Sequence, residues 1–165
     1  MRKTTGALII GAGLVACGSV MATPCANDAG PHAAVQGYLT AMQNHKFTEA
    51  YDFVTKTMTD GKSREDWAAQ QKLFYEGGEV NIFGIDIRKA IGTDDDASCA
   101  KKASVPNILK SRDKFNNQGT TEFETYTVVK DGDKWRVDSQ DTLSDPEAIK
   151  KVFPGEAIPE FRGKY

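Results

Sequence analysis

Residues 121–139 read TEFETYTVVKDGDKWRVDS, in which two runs rich in β-branched and aromatic residues flank Asp131, Gly132 and Asp133. Runs of this composition favour strands, and an Asp-Gly pair between them is the strongest short-range signal for a hairpin. The segment therefore predicts an antiparallel β-hairpin with Gly132 at its tip, and the neighbouring elements are assigned outward from it.

Upstream of the hairpin, residues 80–91 (VNIFGIDIRKAI) alternate apolar and polar side chains, as a strand with one buried face does. The apolar row is Phe83, Ile85, Ile87 and Ile91. Gly84 lies within this row and predicts a bulge or a bend. A further strand is expected at 98–105, because Pro106 has no N–H and is poorly suited to continue a central strand.

The chain between the N-terminal region and residue 78 has the spacing of amphipathic helices. The first helix is predicted to begin at Pro31, and its apolar face is Val35, Tyr38, Leu39 and Met42. The second helix is predicted to reach Asp60. Its apolar stripe is Phe47, Ala50, Tyr51, Val54 and Met58. Phe53 lies off this stripe and is therefore a candidate pocket residue.

A third helix is predicted after Ser63, because Ser63 followed by Asp66 is a capping pattern. This helix contains Trp67, Leu73 and Phe74 and is expected to end at the pair Gly77-Gly78. The aromatic side chains of five residues are predicted to be core rather than the lining of a ligand site, with Phe53 the least explained of them: Tyr38, Phe53, Trp67, Phe74 and Trp135.

Together these elements predict an α+β fold, in which three N-terminal helices pack on a curved antiparallel sheet. Asp145 followed by Pro146 predicts a short helix after the sheet. The expected organisation is a signal peptide at 1–16, a lipid-anchor tether at 17–30, the domain at 31–143, and a C-terminal helix and tail at 144–165.

The first residues predict export. Arg2 and Lys3 precede a ten-residue apolar run at 7–16, which is too short to span a hydrocarbon core of about 30 Å as a helix. The run ends in LVAC, which resembles the bacterial lipobox, and the resemblance implies that Cys17 is lipidated and becomes the mature N-terminus. The alternative is ordinary cleavage after Ala22, which would release a soluble periplasmic or secreted protein.

Export leaves Cys25 and Cys99 as a pair in an oxidising compartment, and such a pair favours one disulfide. Two free thiols are the alternative. The two cysteines lack the CxxC spacing of redox or zinc sites, so no metal and no cofactor are predicted. Asp94-Asp95-Asp96 has neither the alternate spacing nor the closing glutamate of a calcium loop.

The order of elements, the segment TAMQNHKFTEAYDFV at 40–54 and the hairpin VVKDGDKWRVDS at 128–139 resemble the nuclear transport factor 2-like superfamily. They are most similar to its small bacterial envelope lipoproteins of uncharacterised function. The resemblance covers about residues 31–143 and implies a cone-like domain. Its mouth hosts ligands or catalysis in some members and partner contacts in others. In enterobacteria-like sorting, Gly18 after Cys17 implies the outer membrane, facing the periplasm.

No catalytic constellation is predicted. His32 is expected at the start of the first helix and His45 in a connection, where neither suits a pocket. Asp86 and Arg88 share one face of a predicted strand and are candidates for an acid–base pair in the cone, although a solvated pair is the simpler interpretation. Glu124 and Tyr126 are interpreted as cross-strand neighbours on a half-exposed sheet.

The chain has 165 residues and a formal net charge of −2, from 21 basic and 23 acidic side chains. This balance excludes a basic nucleic-acid face. The expected function is a non-catalytic envelope lipoprotein that binds a protein partner or a small hydrophobic ligand and contacts the membrane through its lipid. The alternatives are a small pocket enzyme, an isomerase or hydrolase, and an immunity-type inhibitor of a toxin.

Overall fold

The computed structural model describes residues 23–158. The predicted signal peptide, Cys17 and the tail from 159 lie outside this range. The described helices are α1 (Ala29–Gln43), α2 (Phe47–Ala50), α3 (Arg64–Gly78) and α4 (Pro146–Val152), with a 3-10 turn at Tyr51–Phe53. The strands are β1 (Asn81–Ile87), β2 (Lys102–Arg112), β3 (Thr120–Asp131) and β4 (Lys134–Leu143).

The four strands form one antiparallel sheet in the order β1-β2-β3-β4. Helix α1 packs across the face that we call the inner face, where it contacts all four strands. The main core lies between them, with Val35 and Leu39 of α1 against Val105, Val128 and Val137 of the sheet. The predicted α+β class is confirmed, whereas the helices differ in detail from the prediction.

The opposite face, which we call the outer face, carries a second small core under α4. Ile108 and Phe123 are directly paired across β2 and β3, and they pack against Ile149 and Phe153. The Phe123 and Phe153 rings meet edge to face at 5.1 Å. Each strand thus alternates between a side chain that packs under α1 and one that faces α4 or solvent.

Two helix caps and the hairpin turn form where the local sequence predicts them. Ser63 Oγ accepts a hydrogen bond from the Asp66 N–H at 3.1 Å, which caps α3. Asp145 caps α4 by accepting from the Ala148 N–H at 2.8 Å. Gly132 begins the two-residue turn between β3 and β4 with a φ of 61°, a conformation that glycine adopts without steric cost.

The predicted second helix is wrong beyond Phe53. Val54 is extended, with φ −117° and ψ 157°, and it forms a parallel bridge with Val137. The Thr55 N–H donates to the Val137 carbonyl at 2.9 Å. Edge strand β4 offers unpaired backbone groups at this point, and satisfying them overrides the helical spacing of the sequence.

The predicted apolar row of β1 is wrong at Phe83. The register slips between Ile82 and Gly84, which leaves Phe83 as the extra residue of a bulge. Because a bulge shifts the alternation by one residue, Ile82 enters the core and Phe83 is 54% exposed. The bulge expected at Gly84 is therefore present, and it reverses the side chains that precede it.

Strand β2 continues through Pro106 to Arg112, so the expected end at residue 105 is also wrong. The Pro106 carbonyl accepts from the Arg88 N–H at 2.8 Å. Since the N and C=O of one strand residue point to the same side, the missing N–H of Pro106 faces the point where β1 has just ended. The proline thus removes a donor only beyond the end of the β1 ladder.

Two glycines let aromatic rings approach α1. A Cβ at Gly37 would overlap the Phe53 ring, and a Cβ at Gly30 would lie 2.6 Å from Trp135 Nε1. Both rings are partly buried against the main core. The side chain of Phe53 is therefore a packing element between the 3-10 turn and α1.

A disulfide joins Cys25 to Cys99, with the two Cα atoms 5.7 Å apart. The Cys25 N–H also donates to the Ala90 carbonyl at 2.8 Å, and Pro24 forms a bridge with Ile91. These contacts fasten the N-terminal segment to the end of the sheet where β1 finishes and β2 begins.

Candidate functional site

The inner face holds a polar cluster, which we call the inner cluster and which consists of the buried residues Asn107, Glu124 and Tyr126 and the exposed residue Gln140. Glu124 is 1% exposed and lies directly opposite Asn107. Its Oε2 accepts from Asn107 Nδ2 at 3.0 Å and from the Tyr126 hydroxyl at 2.8 Å. Its Oε1 accepts from Gln140 Nε2 at 2.6 Å. Both carboxylate oxygens are thus occupied by donors from the chain itself.

Burial makes the charged form of Glu124 more costly than it is in water. Burial raises the pKa of Glu124 above its ordinary value, although the hydrogen bonds from Asn107 and Tyr126 act in the opposite direction. Burial also raises the pKa of Tyr126 well above its usual range, with the Glu124 charge as the next cause. The cluster is therefore a buried network with a high cost of charging.

Two further tyrosines extend the cluster toward the helices. Tyr38 of α1 meets the Tyr126 ring edge to face at 6.1 Å. Burial raises the pKa of Tyr75, on α3, to about 12, and the charges of Glu124 and Glu122 add to this shift. The helices thus close the inner face over Glu124 with aromatic side chains.

The expectation that Glu124 and Tyr126 lie on a half-exposed sheet is wrong. Both belong to the same strand row as Val128, and all three are buried beneath α1. The alternation along β3 indicated their burial in advance, because Glu124 and Tyr126 point to the same face of the strand as the apolar Val128. A carboxylate at an otherwise apolar position of a strand pattern predicts a polar cluster, because a buried carboxylate needs hydrogen-bond partners.

The side chains of Asp86 and Arg88 lie on the outer face, whereas the Asp86 N–H donates to Asn107 Oδ1 of the cluster at 3.1 Å. Asp86 is paired with Ile108, an outer-face residue. Arg88 bonds Asp86 at 2.9 Å and Glu156 at 2.5 Å, which ties the segment after α4 to the end of β1. The structure brings the two predicted residues together as a partly exposed ion pair on the outer face of the sheet.

Of the two histidines, His45 reaches the aromatic side chains that extend the inner cluster, through the Tyr75 ring. His45 is exposed, stacks on Phe47 at 5.7 Å and meets the Tyr75 ring at 5.6 Å. It borders an open groove of about 430 Å³ between α2 and α3, whose rim includes Lys46 and Lys72. His32 lies in the first turn of α1.

One end of the molecule exposes four large apolar side chains, and we call it the apolar end: Leu73, Phe74, Phe83 and Phe115. The prediction that Phe74 is core is wrong: the buried residues of α3 are Trp67 and Ala68 in its first half, and Phe74, two turns further along on the side of Trp67, is 58% exposed. Sequence reasoning left Phe115 in a polar loop, where no periodic pattern marks it.

Three contacts connect the loop that carries Phe115 with the end of α3 and with Phe83. The Lys114 N–H donates to the Gly78 carbonyl at 2.9 Å, and the Lys114 ammonium bonds the Gly77 carbonyl, which places the loop before β3 on the last turn of α3. In the same loop, a Cβ at Gly119 would lie 3.2 Å from the Phe83 ring. Leu73 and Phe74 precede Gly77 and Gly78 by one helical turn.

Within residues 23–158, no three His, Cys, Asp or Glu side chains are grouped in a way that suits a metal ion. None of the helices in this range has the length and hydropathy needed to cross a membrane.

No family model matches the chain, and no curated protein is significantly similar to it. Solved structures do share its fold. A ketosteroid isomerase-like protein from Erwinia carotovora atroseptica is 18% identical with a TM-score of 0.50, and the match covers 72% of this chain and 97% of that one. A SEC-C motif containing protein from Rhodopseudomonas palustris is 11% identical with a TM-score of 0.53, over 72% and 82% of the two chains.

A third structure, Bdellovibrio bacteriovorus Bd1075, is 11% identical with a TM-score of 0.47. The match covers 67% of this chain but only 39% of that one, so the chain spans well under half of Bd1075. At these identities the similarities concern the fold alone. The four helices, the four-stranded antiparallel sheet and the ketosteroid isomerase-like neighbour support a nuclear transport factor 2-like fold for this chain.

Proposed function

We propose that the chain is a non-catalytic lipoprotein of the bacterial cell envelope that acts as an interaction module for a partner protein. The lipobox-like LVAC at 14–17 and the absence of Asp after Cys17 support an anchor in the outer membrane, with the domain facing the periplasm. The disulfide between Cys25 and Cys99 suits an oxidising compartment.

The contrast between the enclosed Glu124 of the inner cluster and the exposed side chains of the apolar end supports binding rather than catalysis. The carboxylate of Glu124 is 1% exposed and accepts three hydrogen bonds from its own chain, so a substrate finds no free oxygen there. The apolar end instead leaves Phe115 86% exposed and Leu73 71% exposed. Large apolar side chains that are exposed to this degree support a protein interaction site.

A partner protein fits the apolar end better than a small hydrophobic ligand does. Small ligands bind in concave pockets that surround most of their surface. The 430 Å³ groove beside His45 and the two smaller grooves beside Asp52 and Arg88 are lined by other residues than Leu73, Phe74, Phe83 and Phe115. These side chains project outward and present a surface that a second macromolecule covers.

A pocket enzyme is the second candidate, because a buried carboxylate with a raised pKa is also a feature of general acids and bases. Here Gln140, which is exposed, is the side chain that covers Glu124 Oε1, so its displacement would open the carboxylate. Glu124→Gln removes the titrating group and keeps its shape. If the protein acts by binding, the Glu124→Gln variant should retain the protein's function in the envelope. If Glu124 is catalytic, the variant should lose that function.

The binding role is tested by photo-crosslinking in living cells. A photoreactive phenylalanine analogue at position 115 replaces a ring that is already exposed, and the same analogue at Lys134, at the opposite end of the sheet, is the matched control. We expect an adduct from position 115 alone. No adduct at 115, or equal adducts at both positions, refutes a binding role for the apolar end.

The anchor is tested separately with Cys17→Ser. Loss of the only thiol in the lipobox-like segment is expected to abolish fatty-acid labelling and membrane association, since stable anchoring needs the acyl chains. The double variant Cys25→Ser with Cys99→Ser is the control, because it removes the other two cysteines, which form the disulfide, without touching the segment. A Cys17→Ser chain that stays labelled and membrane-bound would refute the lipoprotein assignment.

A further inference from the structure

The chain that precedes α1 is fastened to the domain at the end of the sheet where β1 finishes. The Thr23 carbonyl accepts a hydrogen bond from the Gly92 N–H at 2.8 Å. Two residues further on, the disulfide from Cys25 to Cys99 adds a covalent bond. We call this place the tether end, and it consists of residues 23–25 and 90–99. Whatever precedes Thr23 therefore enters the domain at a fixed point.

The tether end and the apolar end lie at opposite ends of the sheet. Ile91 of the tether end forms a bridge with Ser104, near the start of β2. At the other end of β2, Arg112 is followed by the loop that carries Phe115. Strand β2 has 11 residues and, at about 3.3 Å for each residue, is roughly 35 Å long. About this distance therefore separates the tether end from the loop of the apolar end.

Little chain separates the tether end from the predicted lipid. Six steps of the chain lead from Cys17 to Thr23. A fully extended chain spans at most about 3.6 Å for each step, so this segment reaches about 22 Å at most. With the acyl chains on Cys17, Thr23 lies within that distance of the bilayer surface. The apolar end is attached to the same domain about 35 Å further along the sheet.

The disulfide keeps this reach short. Without it, segment 23–25 would be held by backbone hydrogen bonds, whose net contribution is small because water replaces them in the released chain. Holding each residue in place also costs conformational entropy. We therefore expect release as far as Asp28, whose carbonyl accepts from the His32 N–H of α1 at 2.8 Å. Eleven steps then separate Cys17 from the first fixed residue, and the reach becomes about 40 Å.

From this attachment and this length of chain, we propose that the tether end faces the phospholipid surface and that the disulfide sets its distance from the bilayer. The apolar end is then presented away from the membrane, where a partner protein meets it. The proposal rests on the proposed function, which supplies the lipid on Cys17 and the binding role of the apolar end, and it adds the orientation. The exposed Asp94 and Asp95 disfavour contact with anionic headgroups, so the tether end faces the bilayer without inserting into it.

The test is resonance energy transfer from the domain to lipid headgroups. The lipidated chain is purified from the envelope in detergent and reconstituted into vesicles of phosphatidylethanolamine and phosphatidylglycerol with a headgroup-labelled acceptor lipid. A fluorescent amino acid replaces Asp94 at the tether end or Asn117 in the loop of the apolar end, and both positions are exposed. We expect the transfer from position 94 to exceed that from position 117 by about twofold or more, because about 35 Å separates the two ends.

The role of the disulfide is tested with two insertions of the same flexible Gly/Ser linker, about twelve residues long. Placed after Ser19, the linker lies between the lipid and the disulfide and is expected to lower the transfer from position 94 by about half or more. Placed after Ala26, it lies behind the disulfide and should leave the transfer unchanged, which makes it the matched control. In a chain with Cys25→Ser and Cys99→Ser, the linker after Ala26 should lower the transfer as well. Circular dichroism of each variant checks the fold.

The outcomes separate this proposal from the one on which it rests. A chain that carries no acyl label and does not bind the vesicles overturns the lipid anchor, and with it the orientation. A labelled, vesicle-bound chain with equal transfer from positions 94 and 117 overturns the orientation and leaves the anchor standing. With the disulfide intact, a linker after Ala26 that lowers the transfer as much as one after Ser19 overturns the role of the disulfide.

Discussion

Glu124→Gln tests whether the inner cluster is a closed structural network. In the native chain, three donors converge on the Glu124 carboxylate from Asn107, Tyr126 and Gln140. A glutamine keeps the shape and offers one oxygen to Asn107 and Tyr126. Its amide nitrogen then faces Gln140, which is exposed and can turn its own amide oxygen to accept.

The expected cost of Glu124→Gln is within about 1 kcal/mol, because each buried donor keeps an acceptor. Glu124→Ala is the contrasting variant. It leaves Asn107 Nδ2 and the Tyr126 hydroxyl without partners on the buried inner face. At about 1–3 kcal/mol for each unsatisfied donor, we expect a loss of about 2–6 kcal/mol in the free energy of unfolding.

The native chain and the Glu124→Gln variant also differ in how their stability depends on pH. Burial raises the pKa of Glu124 in the folded state above its unfolded value of about 4.3. Its contribution to stability is therefore fully present below about pH 4 and is lost as the pH rises through the folded pKa. Glutamine does not titrate. The native chain should lose stability relative to Glu124→Gln between pH 4 and 8, by about 1.4 kcal/mol for each unit of pKa shift.

The assay is urea unfolding with the disulfide intact, followed by the fluorescence of Trp67 and Trp135 at pH 4, 5, 6, 7 and 8. Parallel stability curves for the native chain and Glu124→Gln would show that Glu124 ionises as freely in the folded state as in the unfolded one. Equal stabilities of Glu124→Gln and Glu124→Ala would show that Asn107 and Tyr126 have other partners. Either result refutes the closed network.

Three further sets of substitutions, at Gly37, at the disulfide and at Ser63, test the packing, the covalent link and the helix cap by the same urea titration. Gly37→Ala adds a methyl group that overlaps the Phe53 ring, so we expect a net loss of about 1–3 kcal/mol, and in a Phe53→Ala background the loss should disappear. Replacing both Cys25 and Cys99 by serine opens a link across 74 positions and should cost up to about 4 kcal/mol, whereas an unchanged midpoint contradicts the disulfide. Ser63→Ala removes the cap of α3 and should cost about 1 kcal/mol, whereas Ser63→Asp should retain stability.

Features whose signals lie within a few residues of chain were predictable. Gly132 needs only its neighbours to form the hairpin turn, and Ser63 caps a helix with an N–H three residues away. Asp145 and Pro146 begin α4 for the same reason. In each case the interaction that stabilises the element is local, so the sequence contains both partners side by side.

Features that depend on distant partners were not predictable from spacing. Val54 continues a helical stripe in the sequence, yet it pairs with Val137, 83 residues away. Phe83 fits a strand row, but the register against β2 makes it the bulged residue. Apolar spacing identifies a face, and it does not tell which neighbour covers that face or whether any does.

The inner cluster and the apolar end show the same difference between what local patterns predict and what distant partners decide. Glu124 shares a strand row with Val128, so its burial was accessible from alternation, but its three donors come from three separate positions of the sheet. Phe74 has the pattern of a core residue on α3 and is nevertheless exposed. The exposed surface became visible only when the packing of α3 through Trp67 was known.

The central claim is that the protein acts through the apolar end and that the inner cluster is structural. The most direct measurement is photo-crosslinking from position 115 in cells, performed side by side in the native chain and in Glu124→Gln. We predict the same adduct at the same yield in both, and none from the control at position 134. An absent adduct at 115, or an adduct that Glu124→Gln abolishes while the variant remains folded, would contradict the claim.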